Sequence, residues 1–131
     1  MLRFAPVAVA VLLSACGGPR QAGERCEKTP DCVEGLVCMA EACVDGQKVT
    51  KDRAKRIEAL VQRHMHENKG DCPSGIDEFR STASIADAWG KDFRIVCPGQ
   101  NFVVDVISAG PDGKHETADD IANVDPPADG E

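Results

Sequence analysis

The chain has 131 residues, with 22 acidic against 15 basic side chains, a net charge of −7, and only four phenylalanines and one tryptophan as large rings. That balance excludes a nucleic-acid partner and adsorption to anionic lipid through a basic patch, since both need clustered lysine or arginine. The length allows one modest domain plus a small appendage, and so few aromatics leave a thin core that cross-links must help to hold.

At the N-terminus Met1-Leu2-Arg3 is a short positive segment. Residues 4–15 form an apolar run of about twelve residues, shorter than the ~20 that a membrane-spanning helix requires. It reads as an export leader. The run ends in Leu13-Ser14-Ala15-Cys16, which resembles the bacterial lipobox, whose cysteine carries diacylglycerol; the alternative is an ordinary secretory signal. The resemblance implies a lipoprotein cut before Cys16 and held by its lipid in a membrane of the cell envelope. With Gly17 and Gly18 following and no aspartate, the outer membrane is expected. Several acyl chains at about 0.8 kcal/mol per CH2 make such anchoring permanent. Residues 16–25, rich in Gly, Pro and Gln, read as a flexible tether.

Of the seven cysteines, Cys16 is taken by the lipid, and the remaining even number in an oxidising compartment implies three disulfides. Cys26, Cys32, Cys38 and Cys43 fall in one segment, residues 26–43, too short to bury a core of its own. Four cysteines allow three pairings, among which the sequence does not choose; the interleaved one, Cys26 with Cys38 and Cys32 with Cys43, is that of many small knotted modules. A zinc site is the rival, but it normally brings a CxxC pair, and here the spacings are wider with no histidine among the cysteines. The core Asp31-Cys32-Val33-Glu34-Gly35-Leu36-Val37-Cys38 loosely resembles short cysteine-rich repeats of secreted and surface proteins, which implies binding or spacing rather than catalysis.

From Lys48 the pattern turns helical: Ala54, Ile57, Leu60, Val61, His64 and Met65 recur on one face, with Lys51, Arg53, Lys55, Arg56 and Arg63 around them. Thr50 or Asp52 can cap the start, and Gly70 can end the helix in the left-handed conformation. The basic residues read as a solvated outer face. His64 is expected at the core edge and His66 in solvent, because residues two apart on a helix point in different directions. A turn at residues 71–75 and a short helical piece at 76–80 precede two strands, residues 93–97 and 102–108, joined by Pro98-Gly99-Gln100-Asn101. In the second strand Phe102, Val104 and Val106 share one face, with Asp105 on the other. Cys97 ends the first strand and is the natural partner of Cys72. That bond closes a loop of about 25 residues, worth roughly 3 kcal/mol on the chain-entropy estimate.

Three runs now combine: Asp87-Ala88-Trp89-Gly90-Lys91-Asp92-Phe93, then Ser108-Ala109-Gly110-Pro111-Asp112-Gly113, then Thr117-Ala118-Asp119-Asp120-Ile121. Together they resemble the C-terminal domain of the major pseudopilin of type II secretion, over residues 48–122 and most specifically over 87–121. The resemblance implies an α+β fold, with one amphipathic helix packed on a small antiparallel sheet. Here a small disulfide-rich module precedes it. The resemblance also implies a calcium ion in the loop after the second strand, held by the carboxylates of Asp112, Asp119 and Asp120 and the main-chain carbonyls of Ala109, Lys114 and Thr117. A glycine-punctuated loop with three carboxylates suits a hard ion that takes about six to eight oxygens. An acidic solvated loop whose aspartates cap turns is the plainer alternative. The loop is not an EF-hand, whose alternating acidic pattern fails at Lys114 and Glu116.

The departures from that family are informative. A prepilin leader and its ~20-residue hydrophobic helix are not seen; Cys16 and the cysteine module stand in their place, and Ala88 replaces the usual proline of the turn. Trp89 is expected to plug the helix against the sheet. No Ser, His and acid set suggests catalysis, and every cysteine has a structural or lipid role. The expected function is therefore a non-enzymatic, membrane-anchored binding or adaptor lipoprotein that contacts an envelope or secretion-system protein; the alternative is a structural spacer without a specific partner. The expected organisation is a signal peptide over 1–15, a tether over 16–25, the cysteine-rich module over 26–43, the pseudopilin-like domain over 48–122, and a disordered acidic tail over 123–131.

Overall fold

The computed structural model describes residues 18–100 and 102–124. The expected leader and lipid-bearing Cys16, with Gly17, Asn101 and residues 125–131, lie outside the described residues. The cysteine segment is a hairpin: β1 (Leu36–Met39) pairs antiparallel with β2 (Ala42–Asp45), setting Cys38 opposite Cys43. The connecting Ala40 and Glu41 both have positive φ, 47° and 63°. This is the backbone of a tight two-residue hairpin turn, here made without the glycine or asparagine that usually signals one. Two disulfides hold it, Cys26–Cys38 and Cys32–Cys43, with Cα atoms 5.8 and 5.7 Å apart. Each of the two facing hairpin cysteines is thus tied to a different upstream cysteine, and Cys26, Cys32 and Cys43 are buried together beside Leu36.

The segment expected as a tether is stitched to this hairpin from Arg20 onward. Arg20 bridges Cys32, and Arg25 bridges Ala42. The Gly23 amide donates to the Cys43 carbonyl at 2.8 Å and the Cys43 amide to the Glu24 carbonyl at 2.9 Å. The physical reason is that β2 would otherwise be an unpaired edge, and residues 23–25 satisfy its main-chain groups, while Arg20 pairs with the chain at residues 31–33.

The helix α1 (Gly46–Glu67) begins two residues earlier than expected and shares its boundary with β2. Its cap is Asp45, whose Oδ1 accepts from the amides of Gln47 at 3.0 Å and Lys48 at 3.2 Å, rather than Thr50 or Asp52. Thr50 is fully buried and its hydroxyl accepts from the Ala88 amide at 3.1 Å, while Asp52 pairs with Lys48 at 3.3 Å on the surface. No linker separates module from helix. The helix closes with Asn68, whose side-chain amide donates to the His64 carbonyl, and with Gly70, whose φ of +90° lets its amide reach back to the Met65 carbonyl.

Ala54, Ile57 and Val61 form the buried face of α1 and meet Phe79, Ile85, Phe93, Val104 and Val106. Burial of the larger of these side chains contributes about 1.5–3 kcal/mol apiece. Behind them lies an antiparallel sheet in the order β3 (Arg94–Val96), β4 (Asp105–Ser108), β5 (Ile121–Ala122). The Cys72–Cys97 disulfide, with Cα atoms 5.8 Å apart, ties the chain after α1 to the end of β3. His64 packs edge-on against Phe79, and His66 is exposed.

The expectations for the second strand and for the chain beyond β5 need correction. β4 starts at Asp105, because the Gly99 amide bonds the Val103 carbonyl and the Asp105 carboxylate turns inward to accept from the Gln100 amide at 2.8 Å. That loop displaces Phe102 from the core, leaving it 39% and Val103 59% exposed. Asn123, expected in the acidic tail, belongs to the fold instead. Asn123 is buried, and its side chain accepts from the Val106 amide and donates to the Val104 carbonyl, extending the sheet beyond the two residues of β5.

Trp89 does not fill the space between helix and sheet. It lies over Gly46 at the first turn of α1, where a Cβ would stand 2.8 Å from the Trp89 Cζ2 and 3.3 Å from the Val37 side chain of β1. Gly46→Ala is therefore expected to lower stability by about 1–3 kcal/mol through overpacking, measured as a fall in the urea midpoint. The cost should shrink when combined with Trp89→Ala, because the two changes share one contact.

Candidate metal site in the loop after β4

The loop over residues 109–120 leaves β4 at Ser108 and returns at Ile121, and these two residues are paired in the sheet, so the loop is closed at its neck. Ala109 is fully buried at its start. Gly110 and Gly113 both take left-handed backbone, φ +67° and +69°, and the Gly113 amide bonds the Gly110 carbonyl at 3.2 Å. Gly110 must be glycine, since a Cβ there would meet the main chain of Asp119.

Several of the expected ligands gather around the Thr117 hydroxyl. It donates to Asp119 Oδ1 at 2.6 Å, and its oxygen lies 2.9 Å from the Lys114 carbonyl and 3.2 Å from Asp120 Oδ1. The other oxygens of these carboxylates are held by the main chain. Asp119 Oδ2 accepts from the Asp112 amide at 3.0 Å and Asp120 Oδ2 from the Glu116 amide at 2.7 Å. The Thr117 hydroxyl and the Asp112 amide hold the Asp119 carboxyl below its ordinary pKa. Thr117 was expected to offer its carbonyl; that carbonyl accepts from the Asp120 amide in a turn, and the hydroxyl is the group at the centre.

Asp112 stands apart. Its Oδ1 accepts from the Lys114 amide at 2.8 Å. Among the described residues the three aspartates do not bring one oxygen each within 4.8 Å of one another; the group that does is Cys26, Cys32 and Cys43, whose sulfurs are spent in disulfides. The Asp112 contact is a local Asx turn, its carboxylate bonding the amide two residues on. The donor set fits a hard cation: two carboxylate oxygens and one carbonyl surround a single hydroxyl, with a third carboxylate joined to the same cluster through its own amide.

Beneath the loop is a support that the sequence reading did not assign. Asp87 is 1% exposed. Its Oδ1 accepts from the amides of Trp89 and Lys91, each at 3.0 Å, and its Oδ2 from the Ser108 hydroxyl at 2.7 Å. Ser108 Oγ in turn accepts from the Gly110 amide at 3.0 Å, and the Lys91 ammonium donates to the Gly113 carbonyl. From the helix, Arg53 donates to the carbonyls of Ala86 at 3.0 Å and Asp87 at 3.3 Å. Removing the carboxylate strands a buried hydroxyl and two amides, so Asp87→Ala is expected to cost about 3 kcal/mol in urea unfolding, and Asp87→Asn less.

This arrangement, a helix on a three-stranded sheet with an acidic loop closing its last hairpin, has counterparts among known proteins. A family model described as type II secretion system (T2SS), protein G matches residues 44–125, more than half of the chain, from within β2 to just past β5. The type II secretion system core protein G of Escherichia coli (strain K12) is 53% identical over 38 residues, 29% of this chain and 26% of that protein. Its counterpart from Klebsiella pneumoniae is 51% identical over 37 residues, 28% and 26% of the respective chains. The one from Dickeya chrysanthemi is 49% identical over 37 residues, 28% and 24%. The alignments thus span about a quarter of the length of the curated relatives. The crystal structure of the major pseudopilin from the type 2 secretion system of enterohaemorrhagic Escherichia coli superposes with a TM-score of 0.51 at 23% identity, covering 60% of this chain and 85% of that one, which shows a common fold. The family model takes in the cap, the helix, the Asp87 support and the acidic loop together, and the chain belongs to the type II secretion system protein G family.

Proposed function

We propose that this protein is an envelope lipoprotein, acylated at Cys16, that presents a calcium-stabilised pseudopilin-like domain as an adaptor linked to type II secretion. The observation that carries this reading is the family match over a domain whose helix begins at a disulfide-bonded hairpin. The family is structural and non-enzymatic, which favours binding over catalysis. Three disulfides suit an oxidising, exported location. Among the described residues no helix is long and apolar enough to cross a membrane. The lipid at Cys16 is the proposed anchor, with the outer membrane as its location, and residues 26–43 and 48–122 are the proposed module and head. In the head, Asp119, Asp120 and Asp112, with the carbonyls of Ala109, Lys114 and Thr117, would hold calcium. The ion would neutralise the loop's clustered charge and staple it.

Calorimetric titration of calcium into the oxidised protein is expected to show about one ion per chain, lost in an Asp119→Ala, Asp120→Ala double variant. Chelation should lower the melting temperature. No binding up to the millimolar range, where extracellular modules still bind, sinks the calcium reading. Labelling cells with radioactive palmitate is expected to mark the protein and not its Cys16→Ala variant; an unlabelled wild type refutes the lipid anchor. Pull-down from solubilised envelope tests the adaptor role through repeated recovery of one partner.

A further inference from the structure

We propose that Lys91, with the Asp87–Ser108 pair, positions the calcium loop without touching the ion. This rests on the calcium reading above. The two left-handed glycines of the loop, Gly110 and Gly113, are the points at which the chain changes direction, and each is tied to the same turn. The Gly110 amide donates to Ser108 Oγ, whose own proton goes to Asp87 Oδ2, and the Gly113 carbonyl accepts from the Lys91 ammonium. Asp87 and Lys91 are the two ends of that turn. It is closed by the Asp87 amide on the Lys91 carbonyl at 2.8 Å and by the Lys91 amide on Asp87 Oδ1 at 3.0 Å. Between the two anchored glycines stands Asp112, the carboxylate that stands apart from the other two. The turn therefore controls where the third carboxylate is carried, and its groups are outside the proposed ligand set.

Charge and position make opposite demands of Lys91, which allows a clean test. A cation near a divalent ion repels it, so loss of a bystander lysine would tighten calcium binding, most visibly at low salt. Loss of a positioning lysine weakens it, by the lower end of the ~10–100-fold that direct partners of metal ligands carry, because Lys91 holds Gly113, the residue between the proposed ligands Asp112 and Lys114. Lys91 is exposed, so its replacement spares the core. Calcium is titrated calorimetrically at low salt into the wild-type protein and its Lys91→Met, Lys91→Arg and Ser108→Ala variants, each also melted in chelator to confirm a folded state. Lys91→Met is expected to bind about tenfold more weakly, Lys91→Arg to bind like wild type because it keeps the donor, and Ser108→Ala to weaken binding at least as much. Unchanged or tighter binding by Lys91→Met overturns the role of Lys91. Unchanged binding by Ser108→Ala overturns that of the Asp87–Ser108 pair. A wild-type protein that binds no calcium overturns the calcium reading itself, and the positioning role with it.

Discussion

The carboxylate of Asp87 lies in the protein interior, where an ionised group is tolerated only if its oxygens are fully engaged. Two amides of its own turn and the hydroxyl of Ser108 engage them. The turn so formed is then gripped by the helix, through Thr50 on the Ala88 amide and Arg53 on the carbonyls of Ala86 and Asp87. Helix, sheet and acidic loop thus meet at one side chain. The sheet is short and the apolar core small, so this polar joint fixes the relative placement of elements that hydrophobic burial alone would leave loosely specified.

The same turn also reaches the cysteine module. Trp89 follows Asp87 by two residues and lies on Gly46, against Val37 of the hairpin, while Arg53 extends to within 3.9 Å of the Met39 sulfur. Because Asp45 is both the last residue of β2 and the cap of α1, the hairpin and helix share backbone as well as contacts. The module is therefore an integral cap on the start of the helix. The disulfides that hold the hairpin consequently brace the helix's first turn, and the Cys72–Cys97 bond braces the chain beyond its other end.

Membership in the protein G family accounts for the helix, the sheet and the loop, and the match begins inside β2. What precedes it is a compact disulfide-bonded hairpin, to which residues 20–25 are also bonded. In this pseudopilin-like domain, joined to a small cross-linked module at the base of its helix, the acidic loop lies beside the helix's first turn, where Asp119 and Asp120 share a cavity with Asp45, Lys48 and Lys51.

Much of this was legible in the residues themselves. The spacing of Ala54, Ile57 and Val61 specifies a helix face because a 3.6-residue period is a local property, and the β-branched Ile95, Val96, Val106 and Ile107 specify two strands for the same reason, though the strands end short of the 93–97 and 102–108 expected. The number of cysteines fixed how many bridges to expect, and the Gly-Pro-Asp-Gly string marked a loop. Other features needed three dimensions. Ala40 and Glu41 form a hairpin turn that their side chains disfavour, imposed by flanking pairing and two disulfides. Cysteine pairing depends on which upstream thiol the fold brings to each strand of the hairpin, Cys26 to Cys38 and Cys32 to Cys43. Asp105 and Asn123 are polar residues drawn inward because buried amides and carbonyls required partners there. Asp87 and Ser108 lie 21 positions apart and become a pair only when the sheet closes beside the turn. Local period and composition determined the elements and their chemistry; the satisfaction of buried polar groups between distant segments, which no local pattern encodes, decided how they are joined.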